Sequence, residues 1–214
     1  MSVTEKECIR AIQLYPKNLK YIKHQTEAMC IIAVKEKGRV LRYVKEQTEE
    51  ICIAAVRQNG KALKYVKEQT EEICLEAVIH RPEALKYVRD QTVEMCFEAI
   101  EYWGLFLEYV HNQTEEICLM AVTNEADALE YVKNQTEEMC LIAVRQNDET
   151  LKYVKNQTEE MCLIAVRQNG YVLKYVKNQT EEICMVALAS RGLCSIEEIL
   201  ELITDPSMRE RMRF

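Results

Sequence analysis

QTEEMCLIAVRQNGYVLKYVKNQTEEICMVA, residues 157–187, decides how the chain folds. Within it Gln-Thr-Glu-Glu occurs twice, 22 residues apart, and between the copies lie an apolar run, an Asn-Gly break and an amphipathic Leu-Lys-Tyr-Val. Working outward, Gln-Thr recurs at Gln25, Gln47, Gln69, Gln91, Gln113, Gln135, Gln157 and Gln179, always at the same interval. A cysteine keeps the register from Cys8 through Cys184, each followed three residues on by Ala, from Ala11 to Ala187. A fixed period of this kind is the mark of a repeat architecture. Thr4 carries the Thr ladder back one further step, so nine units are expected.

Two breaks divide each unit. Gly38, Gly60, Gly104, Gly170 and Gly192 share one register position with Pro16 and Pro82. Gly suits a left-handed residue closing a helix and Pro suits the first turn of the next, so this register marks a junction. At the other break Thr precedes acidic residues, as at Thr48, Glu49 and Glu50. That pattern predicts an N-cap with carboxylates in the positive first turn. In the helix running from Thr48 to Val56, Ile51, Cys52, Ile53, Ala55 and Val56 cover an arc of about 200°, which predicts burial on most sides. In the second helix, Leu63, Tyr65 and Val66 face one way and Lys64 and Lys67 the other, an amphipathic cover. Such short helices are marginal alone and must be held by their neighbours.

The expected fold class is therefore all-α: an α-solenoid of nine 22-residue helix pairs, elongated as a rod or superhelix. It is read as a single domain over 1–214, with repeats at 4–193, a C-terminal cap at 194–205 and a tail at 206–214. The cap begins at Ser195, carries Ile196, Ile199, Leu200 and Ile203, and is expected to stop before Pro206.

Composition narrows the function classes. Lys+Arg number 28 against 35 Asp+Glu, a net charge of -7, which argues against coating nucleic acid or an anionic membrane. No apolar run approaches a membrane span, and MSVTEKECIRAI lacks a signal-peptide core, so the expected location is the cytoplasm. There the 10 cysteines are read as reduced, and the Asn-Gln-Thr acceptors at Asn112, Asn134, Asn156 and Asn178 meet no glycosylating enzyme. Equivalent cysteines one layer apart are too distant for a disulfide, and no Cys-x-x-Cys pair clamps a metal, so they are read as small buried hydrophobes. Paired glutamates at helix starts are held ionised, the wrong direction for a general acid. His24, His80 and His111 have no ligating spacing, no serine has an evident triad partner, and no glycine-rich phosphate loop exists. No cofactor or metal is expected, and the chain is read as non-enzymatic.

Surface candidates remain. The turn between the helices varies while the packing positions repeat, and variation on a rigid frame is where specificity sits. In the fifth unit it reads Glu101, Tyr102, Trp103, Gly104, Leu105 and Phe106, with the sole tryptophan. Tyr102, Trp103 and Leu105, with Tyr171 at the corresponding turn of a later unit, are the expected contacts for a protein partner, with Phe106 in the core. The competing reading has Trp103 folded back over a neighbouring helix. A second candidate is the row of bases on the second helix: Lys20, Arg42, Lys64, Lys86, Lys152 and Lys174, each with a base three residues on at Lys23, Lys45, Lys67, Arg89, Lys155 and Lys177, and a further one at Lys133. On an α-helix these share a face and could follow an RNA backbone, although Glu108, His111 and Glu130 interrupt them. The tyrosine ladder from Tyr21 to Tyr175 is read as half-buried packing. Self-association is left open.

Residues 168–188, QNGYVLKYVKNQTEEICMVAL, resemble the repeats of the domain-of-unknown-function 4116 family, found in giant viruses of amoebae and in some bacteria. The likeness rests on Ala-Val-x-Gln-Asn-Gly at Ala165 to Gly170 and Leu-x-Tyr at Leu173 to Tyr175, and it covers nearly the whole chain. The short Asn-Gln-Thr or Glu-Gln-Thr link departs from the general family pattern. The resemblance implies a helical array of unknown role, made by a virus and acting on a host factor in the host cytoplasm, and supplies no catalytic residues.

Overall fold

The computed structural model describes residues 3–190 and 195–213. Gly192, placed by the register at the last break, and residue 194, at the start of the expected cap, lie outside them. The fold is an all-α solenoid, without a strand among the described residues.

The chain groups into two compact units. The first runs to Tyr102 and takes back Tyr109–Asn112; the second holds Trp103–Glu108 and continues from Gln113. In the first, α1 (Val3–Leu14), α2 (Glu27–Glu36), α3 (Glu49–Gln58), α4 (Glu71–His80) and α5 (Val93–Tyr102) alternate with η1 (Pro16–Tyr21), η2 (Gly38–Tyr43), η3 (Gly60–Tyr65) and η4 (Pro82–Tyr87). After η5 (Gly104–Tyr109), the second alternates α6 (Glu115–Asn124), α7 (Glu137–Gln146), α8 (Glu159–Gln168) and α9 (Glu181–Ala189) with η6 (Ala126–Tyr131), η7 (Asp148–Tyr153) and η8 (Gly170–Tyr175). It ends in α10 (Ile196–Leu202) and α11 (Pro206–Arg211), so the stretch read as a tail contains a helix started by Asp205, whose side chain accepts from the Ser207 and Met208 N–H groups.

The η elements are 3-10 helices of six residues, where the sequence suggested amphipathic α-helices. The reason is the spacing of what must be buried. Gly60, Leu63 and Val66, three residues apart, all face the interior, which matches a helix of three residues per turn. The short helix closes by i+3 bonds, as Val66 N–H to the Leu63 carbonyl at 3.0 Å. Beyond Tyr65 the chain is extended, which leads it into the link.

Glycine at the junction has another cause than the expected left-handed turn, because no described glycine has positive φ. It stands at the start of the 3-10 helix, where the next repeat comes close. A Cβ on Gly38 would meet the Ala55 carbonyl oxygen, and one on Gly60 would stand 2.6 Å from the Arg81 Cβ. Pro at the same register does begin the helix, at Pro16 and Pro82.

Threonine caps α2 to α9. Thr48 accepts from the Ile51 N–H at 3.4 Å and Thr136 from the Met139 N–H at 3.3 Å. The helices α2 to α8 bury the same four positions, Ile51, Cys52, Ala55 and Val56 in α3 and Met139, Cys140, Ala143 and Val144 in α7. From the 3-10 helices, Leu41, Leu63, Leu85, Leu129, Leu151 and Leu173 are fully buried against them.

Candidate functional site

The link glutamine, given no role by the sequence reading, bonds each repeat to the next. Gln69 Nε2 donates to the Tyr87 carbonyl of the following repeat at 2.9 Å and, at 3.4 Å, to the Leu63 carbonyl of its own. Its Oε1 accepts from the Arg89 N–H at 3.0 Å. One side chain thus serves backbone groups that two helix ends would leave open. In the second unit Gln135 repeats the pattern with Leu129, Tyr153 and Lys155. Gln179 closes the series on the cap, bonding the Leu202 carbonyl at 3.0 Å and the Thr204 N–H at 2.9 Å. Leu200 to Thr204 therefore stand where Leu-x-Tyr-Val-Lys stands in a repeat, a correspondence hidden in the sequence by a five-residue offset.

The cysteines complete this lattice. Cys74 Sγ lies 3.6 Å from Gln69 Oε1 and Cys118 Sγ 3.6 Å from Gln113 Oε1, the thiol donating to the amide oxygen. Burial pushes the thiols of Cys30, Cys52 and Cys74 up to about 11, reinforced at Cys30 by Glu27 and at Cys52 by Glu49. Cys96, Cys118, Cys140, Cys162 and Cys184 are raised by the same burial. A buried thiol held protonated is a poor nucleophile and a poor metal ligand.

Of the two rows of bases, the structure separates what the sequence grouped. Those after the 3-10 helix reach back to backbone carbonyls of the preceding repeat: Lys45 Nζ to Lys23 at 2.8 Å, Lys67 Nζ to Lys45 at 2.7 Å, Arg89 Nη1 to Lys67 at 3.0 Å. Lys155 and Lys177 do the same with the carbonyls of Lys133 and Lys155, both at 2.7 Å. The shared α-helical face is thus lost, because the 3-10 helix ends at Tyr and leaves these bases on the extended link. Those inside the helix lie over tyrosine rings, Lys20 4.4 Å from the Tyr21 centroid, Lys64 4.8 Å from Tyr65 and Lys152 4.7 Å from Tyr153. Arg42 and Lys86 also reach the ring one repeat on, Tyr65 at 5.7 Å and Tyr109 at 5.4 Å.

The turn residues fall in different units. Tyr102 ends α5 in the first unit and is 74% exposed. In the second, Trp103 is 46% exposed, its ring edge-on to Phe106 with centroids 5.4 Å apart and planes at 83°. Phe106 is buried and Leu105 half-buried. Tyr171 is 39% exposed under Lys174, whose Nζ stands 3.9 Å from the ring centroid.

Compared with known families, residues 48–91 and 136–180 match the family described as Domain of unknown function (DUF4116). These two segments are similar to DUF4116 repeats. One matched segment lies in each unit, and each opens on the Thr cap of an α-helix. In both of these DUF4116 segments the Gln, Cys and Leu-x-Tyr-Val positions make the lattice described above. No curated protein and no solved structure matches the chain.

Proposed function

We propose that this DUF4116-repeat chain is a non-enzymatic scaffold that binds a protein partner through the turn edge of its second unit, with Trp103 as the anchor, Leu105 in the same turn and Tyr171 at the corresponding turn three repeats on. One observation carries the reading: the Trp103 ring rests on Phe106 yet remains 46% exposed. A ring already fixed on one side loses little side-chain freedom on binding, and half of its surface is still available for burial. Aromatic residues so placed are the usual hot spots of interfaces. Tyr171, covered on one face by Lys174, is ordered in the same manner. Tyr102 gives the first unit an exposed ring of its own.

The non-enzymatic part of the reading is supported by how the reactive residue types are used. Thiols donate to glutamine, and the carboxylates at helix starts accept threonine hydroxyls, Thr48 to Glu27 at 2.7 Å and Thr70 to Glu49 at 2.8 Å. The family likeness makes a cytoplasmic host factor the partner to seek. Affinity capture with the full chain, against a Trp103→Ala, Tyr171→Ala variant and with and without nuclease, tests the proposal. A protein retained by wild type after nuclease, lost by the variant, and rebinding when purified supports it. Capture indifferent to the variant, or abolished by nuclease, overturns it.

A further inference from the structure

The 3-10 geometry pairs residues that an α-helical reading keeps apart. With three residues per turn, side chains at i and i+3 eclipse and lie on one line along the helix. On η1 to η3 of the first unit these lines are basic, Lys17 with Lys20, Arg39 with Arg42 and Lys61 with Lys64, while η4 carries Glu83 with Lys86. All of these bases are exposed, and none forms an ion pair with a carboxylate among the described residues. The corresponding lines of η6 and η7 in the second unit carry Asp127 with Glu130, and Glu149 with Lys152. An acidic chain has thus gathered exposed positive charge on one edge of one unit, a local potential that attracts an anion.

Aromatic rings are set among these cations. Tyr21 is 75% exposed and Tyr43, Tyr65 and Tyr87 are half-buried, each next to the base that lies over it, Arg42 at 4.8 Å from Tyr43 and Lys86 at 5.2 Å from Tyr87. Tyr65 is touched by bases of two repeats, its hydroxyl held below the ordinary phenol range by Lys64 and then by Arg39. Repeated cations with rings at the same pitch fit a chain that offers a phosphate and a flat base at each step, since phosphates meet the cations and bases stack on rings. An acidic polypeptide would meet the cations alone, whereas a nucleobase can also stack on ring surface left exposed beside them, most of all at Tyr21.

We propose that the 3-10 edge of the first unit, η1 to η3, binds single-stranded nucleic acid along its phosphate backbone, through residues other than those of the turn edge proposed for a protein partner. The bases that do this are those at Lys17, Lys20, Arg39, Arg42, Lys61 and Lys64; the link bases Lys45 and Lys67 are occupied in joining repeats. The strand is not read by sequence, because the edge offers charge and ring faces and no set of directional donors.

Fluorescence anisotropy of a labelled single-stranded oligouridylate, titrated with the full chain, tests this. Binding should saturate at low salt and weaken with a log–log salt slope of about -3 or steeper. The exposed triple variant Lys20→Gln, Arg42→Gln, Lys64→Gln should bind at least ~10-fold more weakly, with the slope reduced by roughly 2. Lys152→Gln with Lys174→Gln, and Trp103→Ala, should bind as wild type does, so a failure here is distinct from a failure of the protein-binding reading. Tyr43→Leu with Tyr65→Leu should weaken oligouridylate and leave inorganic polyphosphate binding unchanged. Circular dichroism melts confirm that each variant is folded. No binding at low salt, a triple variant that binds like wild type, or polyglutamate competing equally at matched charge would overturn the assignment.

Discussion

Gly38–Tyr43 reads GRVLRY and Ala126–Tyr131 reads ADALEY, and both are six-residue 3-10 helices in the same register of the repeat. Inside they are equivalent. Val40 and Leu41 in the one, Ala128 and Leu129 in the other, are buried, and the Tyr43 and Tyr131 carbonyls are both taken by a link glutamine, Gln25 at 2.9 Å and Gln113 at 3.0 Å. Outside they are opposite, with Arg39 and Arg42 against Asp127 and Glu130. The contrast separates what the repeat needs in order to fold from what its surface is left to vary. Leucine, alanine, cysteine and glutamine hold the repeat, and the residues between them are free to change sign.

If that division is right, interior substitutions cost the same in either unit. Leu41→Ala and Leu129→Ala, both at fully buried sites, should each destabilise by about 3 kcal/mol in urea denaturation. A gap between them of more than about 1 kcal/mol would break the equivalence. Next come the glutamines. Gln47→Ala and Gln135→Ala each strip partners from backbone groups of two repeats, an expected loss of about 2 kcal/mol in the same measurement.

The thiols sharpen the comparison through pH. Their folded values lie above the ordinary 9.0, so the folded chain holds these protons more tightly than the unfolded one. The stability they contribute is complete below pH 9.0 and is lost as pH rises through the folded value of about 11 at Cys30, Cys52 and Cys74. The urea midpoint should therefore be flat up to pH 9.0 and fall steeply above it, and Cys52→Ala with Cys74→Ala should soften that fall. A midpoint indifferent to pH across this window would contradict the placement of the thiols. At the surface, Trp103→Ala should cost only about 1 kcal/mol, the edge-on contact with Phe106. Smallest of all, Arg42→Asp and Asp127→Arg should each change stability by less than about 0.5 kcal/mol.

Much of the frame was legible because it repeats. Each Gln-Thr pair gave a cap, the ladder cysteines from Cys30 to Cys184 fell in the same buried place while Cys8 in the first helix is half-buried, and Leu63 and Val66 were correctly assigned to the interior. The 3-10 character of the second helix was not legible, since six residues carrying Leu, Tyr and Val satisfy a period of 3.0 nearly as well as one of 3.6. That ambiguity hid the surface too. Lys64 was paired with Lys67 when its partner on the helix is Lys61, and the spacing of three in Lys17 and Lys20, Arg39 and Arg42 was the available signal. The glutamine lattice was hidden for a different reason: its partners are carbonyls of another repeat, 18 residues away, and backbone atoms leave no trace in sequence. Trp103 could be singled out by its type, but its support by Phe106 required the fold.

The proposal that a common frame presents a binding edge anchored by Trp103 is tested most directly by placing a photo-crosslinking benzoylphenylalanine at position 103 of the full chain and irradiating it in cell lysate, with the same probe at Lys155 as reference. The account predicts one discrete protein adduct at 103, absent at 155 and abolished by competing wild-type chain. Equal labelling at both positions, or no adduct at 103, would contradict it.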